Sequence, residues 1–213
     1  MSYTSITLHK LTYPVAGNSA CFVDLDLSFE PVRYGIVGDN GCGKSTLLRL
    51  IAGDLQPQQG SVTVPSSFHY VPQNCRPHET ELTIGSVLGV AELLQTLQRV
   101  NKGDFSDDDV TSLDNYWDIE ERIASTLTAL SLWPLDLNAP FLSLSGGQQT
   151  KIRLAKTQLF PAEFLLLDEP TNNLDAVSRQ GLYHYVQSCQ HGMLVVSHDR
   201  ALLNLMDVII EIS

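Results

Sequence analysis

The chain has 213 residues, 43% of them hydrophobic and 17% charged, enough for one full-sized domain with its own hydrophobic core. A net charge of −11 argues against a domain that grips nucleic-acid phosphates by itself, so no direct nucleic-acid binding is expected. No apolar run reaches the ~18 residues a membrane span needs, and Met1-Ser2-Tyr3-Thr4 lacks the basic start and apolar stretch of a secretory leader, so a cytoplasmic protein is expected.

In chain order, Leu25, Leu27 and Phe29 alternate with Asp24, Asp26 and Ser28, the period of a half-buried strand. Tyr34-Gly35-Ile36-Val37 reads as a buried strand feeding the glycine-rich turn that begins at Gly38. Lys44 to Ala52, with Leu47, Leu48 and Leu50, predicts a helix stopped by Gly53. Pro57 and Gly60 mark a turn before a short strand at Ser61-Val62-Thr63-Val64. From about Ile84 to Leu135 the pattern is helical. Leu88, Ala91, Leu94, Leu97 and Val100 predict one amphipathic helix; Ile123, Leu127 and Leu130 repeat the spacing after an N-cap region at Ser106-Asp107-Asp108-Asp109. The last third alternates helices (about Gly147–Leu159 and Ala176–Ser188) with apolar strands (Phe164–Leu167, Met193–Val196 and Asp207–Ile210), the pattern of a mostly parallel sheet with ligands at its carboxyl edge. The expected organisation is an α/β core, about 1–75 and 141–213, with a helical subdomain inserted at about 76–140.

Several residues carry chemistry in this frame. Gly38-Asp39-Asn40-Gly41-Cys42-Gly43-Lys44-Ser45, followed by Thr46, fits G-x-x-x-x-G-K-[ST] between a strand and a helix. Its glycines let backbone N–H groups surround phosphate oxygens, Lys44 reaches the β- and γ-phosphates, and Ser45 offers a hydroxyl to Mg2+. Asp168 ends a run of apolar residues, which sets a carboxylate at a strand tip where it could hold Mg2+ through water; Glu169, expected on the opposite face, suits a general base toward an attacking water. Ser145-Gly146-Gly147-Gln148 opens a helix, and by itself is a helix cap or a set of N–H donors for phosphate. Cys21, Cys42, Cys75 and Cys189 lie too far apart for metal-ligand pairs, and neither disulfides nor zinc are expected. Cys42, beside the phosphates, would be a target for alkylation that ATP shields. The acidic run from Asp104 to Glu121 has no calcium-loop spacing and reads as a solvated face.

With Leu144-Ser145-Gly146-Gly147-Gln148 and Phe164-Leu165-Leu166-Leu167-Asp168-Glu169 following the phosphate loop in this order, the chain resembles the ATP-binding cassette (ABC) ATPases from about Ile6 to Ile212. The resemblance implies a P-loop NTPase cassette with an N-terminal antiparallel β region, ATP and Mg2+ as ligands, and hydrolysis of ATP. It also implies a head-to-tail sandwich, in which Ser145 to Gln148 meet an ATP held on a second cassette. Gln73, after Tyr70-Val71-Pro72, matches the Q-loop glutamine that helps hold the metal and the attacking water; Asn173-Leu174-Asp175 matches the D-loop, with Asp175 near the nucleotide; His198 matches the switch histidine on the γ-phosphate. Tyr13 is similar to the aromatic residue stacked on adenine, with Phe22 as the alternative. The run Leu165 to Asp175, the block Trp117 to Arg122 and Ser197-His198-Asp199-Arg200 are similar to ABC-F proteins, which carry tandem cassettes and often act on ribosomes. The partner cassette is then a second copy or a tandem half, and a ribosome contact would come through parts outside this chain. An ATP-binding subunit of a membrane transporter and a non-hydrolysing regulatory module are the alternatives.

Overall fold

A computed structural model describes residues 5–14, 20–76 and 79–212; the Met1–Thr4 start lies outside them. The chain divides into two compact units, one built from the residues up to Gln73 and from Ala162 onward, the other from Asn74–Pro161.

The first unit contains two sheets. β1 (Ile6–Pro14), β2 (Ala20–Phe29) and β4 (Gln59–Thr63) form an antiparallel sheet in the order β2-β1-β4. Ile6 faces Phe29 and Leu8 faces Leu27 across β1 and β2. The register then shifts between Leu8 and Leu11, where Lys10 takes φ 45°. Such a bulge adds a residue and bends the strand. The second sheet is parallel throughout, with β5 (Phe68–Val71), β6 (Phe164–Asp168), β7 (Gly192–Val196), β3 (Arg33–Gly38) and β8 (Val208–Ile212) in the order β5-β6-β7-β3-β8. β6 and β7 are buried along their whole length, which is why they read as unbroken apolar runs rather than alternating ones.

α1 (Lys44–Ile51) buries Leu47, Leu48, Leu50 and Ile51 in one core with Ile6, Leu8 and Phe29 of the antiparallel sheet and Ile36, Leu166 and Leu194 of the parallel one. At ~1.5–3 kcal/mol for each aliphatic side chain removed from water, this contact holds the helix that follows the phosphate loop. α7 (Ala176–Ser188) returns from β6 to β7, and α8 (Arg200–Leu203) is a short turn after β7.

The second unit is helical: α2 (Ile84–Leu88), α3 (Ala91–Lys102), α4 (Asp107–Ser112), α5 (Ile119–Ala129) and α6 (Gly146–Leu159). Its core gathers Ile84, Leu88, Leu113, Ile119, Ile123, Leu127, Phe141 and Ile152. Arg153 of α6 is buried there, forked onto Glu79 at 2.7 and 3.3 Å and lying 4.9 Å above the Phe141 ring.

Two helix expectations need correction. The series from Leu88 to Val100 is not one helix: Gly89 takes φ 84° and caps α2, so Leu88 and Leu94 stand on different helices. Ser106 does build a capping box with Asp109, but it starts the one-and-a-half-turn α4. The helix bearing Ile123 and Leu127 begins separately after Asp118.

Candidate functional site

The carboxyl ends of β3, β6 and β7 and the residue two beyond β5 converge on a cleft of about 330 Å³. From the phosphate loop come Asn40, Gly41 and the run Gly43 to Thr46. Gln73 enters after β5, Glu169 and Asn172 after β6, and Val196 and His198 from the end of β7. Gly38, Asp39, Cys42, Asp168 and Asp175 do not line the cleft themselves.

The loop's shape follows from its glycines. Gly38, Gly41 and Gly43 take φ 150°, 87° and 105°, which side chains rarely allow. A Cβ on Gly38 would lie 2.1 Å from the Ile212 carbonyl oxygen and 2.9 Å from Cys42 Sγ, so this position also lacks space. Gly43 caps α1 without a side chain, which leaves the first-turn amides aimed into the cleft for an anion. Lys44 is buried, and its Nζ donates to the Gly38 and Asp39 carbonyls, each at 2.8 Å. The cation is therefore held at the mouth of the loop.

Ser45 Oγ donates to Asp168 Oδ1 at 2.9 Å, and Tyr70 Oη to Oδ2 at 3.4 Å. Burial pushes the Asp168 carboxyl above the usual carboxylate range, against the pull of those two hydroxyls and of Lys44. Glu169 leaves the strand with φ 48°, a conformation costing on the order of 1–3 kcal/mol for a residue with a side chain. Its N–H donates to the Val196 carbonyl at 2.8 Å. The two adjacent carboxylates diverge through this turn and not through the strand's pleat. Asp168 meets α1, whereas Glu169 Oε1 lies 3.5 Å from His198 Nε2 and Oε2 accepts from the His198 N–H at 3.4 Å. Burial raises the Glu169 carboxyl, with the His198 ring and N–H opposing it. Such a group holds a proton more readily than an ordinary glutamate.

Other expected residues have their own places. Tyr13 is half-buried on β1 directly across from Phe22, which is buried in the core. Asp175 caps α7 by accepting from Ser178 N at 2.8 Å. Ser145 and Gln148 form a reciprocal capping box on α6, with Gly146 and Gly147 in its first turn. Asn172 also lines the cleft, from within the Leu165 to Asp175 run, in the polar Thr171-Asn172-Asn173 stretch that follows Glu169 and Pro170. Cys42, Cys75 and Cys189 are reduced thiols.

Among the described residues no helix is long and apolar enough to cross a membrane, and no three His, Cys, Asp or Glu side chains gather as metal ligands. One hydroxyl and one carboxylate beside a phosphate cradle do suit Mg2+, which binds through few protein oxygens and completes its shell with phosphates and water.

A family model described as "ABC transporter" matches residues 23–172. The chain is 32% identical to the "Energy-dependent translational throttle protein EttA" of Mycobacterium tuberculosis over 92% of its own length and 38% of that protein's. It is 33% identical to the "Uncharacterized ABC transporter ATP-binding protein YkpA" of Bacillus subtilis over 86% of its own length and 37% of that protein's. The chain thus spans less than two fifths of either relative. Among solved structures, the "Dimeric Structure of MJ0796, a Bacterial ABC Transporter Cassette" superposes with a TM-score of 0.71 at 19% identity, covering 97% of this chain and 94% of that one. That likeness is one of fold.

Proposed function

The chain belongs to the ABC transporter family of ATP-binding cassettes, and from this we propose that it binds Mg-ATP at the strand-end cleft and hydrolyses it when two cassettes close head to tail. The observation that carries the reading is the Ser45–Asp168 hydrogen bond on one side of the cleft with the Glu169–His198 pair on the other.

The amides of the phosphate loop and Lys44 bind the phosphates, Lys44 exchanging its loop carbonyls for the β- and γ-oxygens. Ser45 and Asp168 would hold Mg2+, with Gln73 reaching it from β5's end. Bound there, the ion supplies charge neutralisation for the phosphates and the leaving oxygen. Glu169 accepts a proton from water as the water oxygen attacks the γ-phosphorus and the bond to the β-phosphate oxygen breaks. His198 steadies the γ-phosphate, and its closeness to Glu169 links phosphate contact to the base. Tyr13 stacks on the base of the nucleotide. Ser145, Gly146, Gly147 and Gln148 present N–H donors to the ATP of the partner cassette, with Asp175 near it, and Cys42 is shielded once nucleotide is bound.

The client is a translation component, most concretely the ribosome. Support comes from the 32% identity to a protein named as a translational throttle and from the ABC-F form of Leu165 to Asp175. Glu169→Gln tests the enzyme reading. It should slow hydrolysis by at least ~10²-fold and give a dimer's mass by light scattering only with Mg-ATP. A variant that hydrolyses ATP at the wild-type rate would remove Glu169 from the reaction. Co-sedimentation with ribosomes of Glu169→Gln carried in a tandem-cassette protein tests the client, and binding instead to a membrane permease would favour the transporter reading.

A further inference from the structure

We propose that Tyr183, acting through Asp199, is a positioning residue for His198, so that the helix after Glu169 and Asn172 sets the place of the switch histidine. The proposal rests on the reading that His198 touches the γ-phosphate.

His198 by itself is loosely held. Its side chain is 60% exposed, and its contacts to Glu169 are long, 3.5 Å from the ring and 3.4 Å from the N–H. The next residue is fixed on every side. Asp199 N–H donates to Ser197 Oγ at 3.0 Å, and Oδ1 accepts from Ala201 N at 2.9 Å and Leu202 N at 3.3 Å. Those bonds cap α8. The second oxygen turns the other way, where Oδ2 accepts from Tyr183 Oη at 2.5 Å and faces Arg179 Nε at 3.9 Å. Tyr183 and Arg179 stand one turn apart on the same face of α7. That helix starts at Asp175, and Arg179 reaches back toward the Leu174 carbonyl at 3.5 Å. The loop after β6 and the loop after β7 are thus tied through one carboxylate.

A helix cap needs only one oxygen, and α7 is already anchored by buried Leu182 and Val186. The phenol–carboxylate bond is therefore additional to both the cap and the packing. Burial, with the Asp199 carboxylate, pushes the Tyr183 phenol up to about 12, so it remains a donor at any working pH. A hydrogen bond to a charged acceptor is among the stronger kinds. Its effect is to hold residue 199, and with it the backbone that presents the His198 ring.

The test is a double-mutant cycle on the full chain, with kcat and KM from release of labelled phosphate and folding followed by thermal melting. Tyr183→Phe should lower kcat about tenfold with KM changed less than about twofold. In the His198→Ala background it should change kcat by less than about twofold, since no ring is left to position. Equal losses in both backgrounds would make Tyr183 merely structural and overturn the proposal, as would full kcat in Tyr183→Phe beside a crippled His198→Ala. Full hydrolysis in His198→Ala would instead sink the reading of His198 on which the proposal stands. Should Tyr183→Phe melt early, Asp199→Asn retains the capping oxygen, replaces the phenol's acceptor with an amide NH2, and must show the same dependence on His198.

Discussion

Arg33 and Asp207 show how a single pair at the amino ends of two strands sets the register carried to their carboxyl ends. Arg33 opens β3 and Asp207 immediately precedes β8. The guanidinium takes both carboxylate oxygens, at 2.7 and 3.0 Å, the Arg33 N–H adds a third bond, and Asp207 N–H returns one to the Arg33 carbonyl. This locks the parallel pair so that Gly38 ends opposite Ile212, whose carbonyl excludes any Cβ at Gly38. Hydrogen bonding from Arg33 holds the Asp207 carboxyl down at about 2. A depressed folded value means the contribution is complete above the unfolded pKa of ~3.9 and disappears as pH falls toward about 2. With the Asp207 side chain 42% exposed, solvent screening limits the pair to about 1 kcal/mol or less. Asp207→Asn should therefore melt below wild type by at most ~2–4 °C at neutral pH, and the gap should close as pH is lowered through that window. Parallel melting curves at every pH would mean the pair adds nothing.

At the scale of elements, Gly89 is the clearest case of one residue deciding two helices. Its φ of 84° is unfavourable for any L side chain, and a Cβ there would touch Lys156 Cε at 3.4 Å. Gly89→Ala should cost the helical unit ~1–2 kcal/mol, read as a lower melting midpoint with the α2–α3 break retained and nucleotide affinity unchanged. A variant as stable as wild type would show that the break does not depend on the left-handed cap. The same position shows what was legible in the sequence. The three- and four-residue spacing continues across the break, because Leu88 and Leu97 both enter the core, so periodicity alone merges α2 with α3. The buried strands β3, β6 and β7 and the helix α7 were readable, since apolar runs punctuated by Gly, Pro and caps leave few alternatives. β1 and β5 were not. β1 carries a bulge at Lys10 that disrupts its alternation, and β5 mixes His69 and Tyr70 into an edge strand of four residues. In the site, the glycine pattern and the strand-end acids could be seen in the chain. The Ser45–Asp168 and Tyr183–Asp199 bonds could not, because they join residues 123 and 16 positions apart through packing no local signal encodes.

On the scale of the whole molecule, the proposed head-to-tail sandwich makes a demand that no single-site variant can imitate. In it each composite site would take its phosphate loop from one copy and its Ser145 turn from the other. Lys44→Ala disables the phosphate loop of its own copy; Ser145→Ala disables the turn it offers to its partner. Ser145→Ala also removes a capping box, a loss of ~1 kcal/mol that leaves a folded chain. Each variant alone should hydrolyse ATP poorly. When the two are mixed, a mixed pair concentrates both defects in one site and leaves the other intact. Random pairing should therefore restore about a quarter of wild-type turnover, and wild-type turnover itself should rise faster than linearly with protein concentration as pairs form. Sites built within one copy predict no recovery, because every chain in the mixture carries a defect. A mixture as inactive as its parents, under conditions where light scattering shows pairs, would therefore refute the shared site while leaving nucleotide binding at the Lys44 loop untouched.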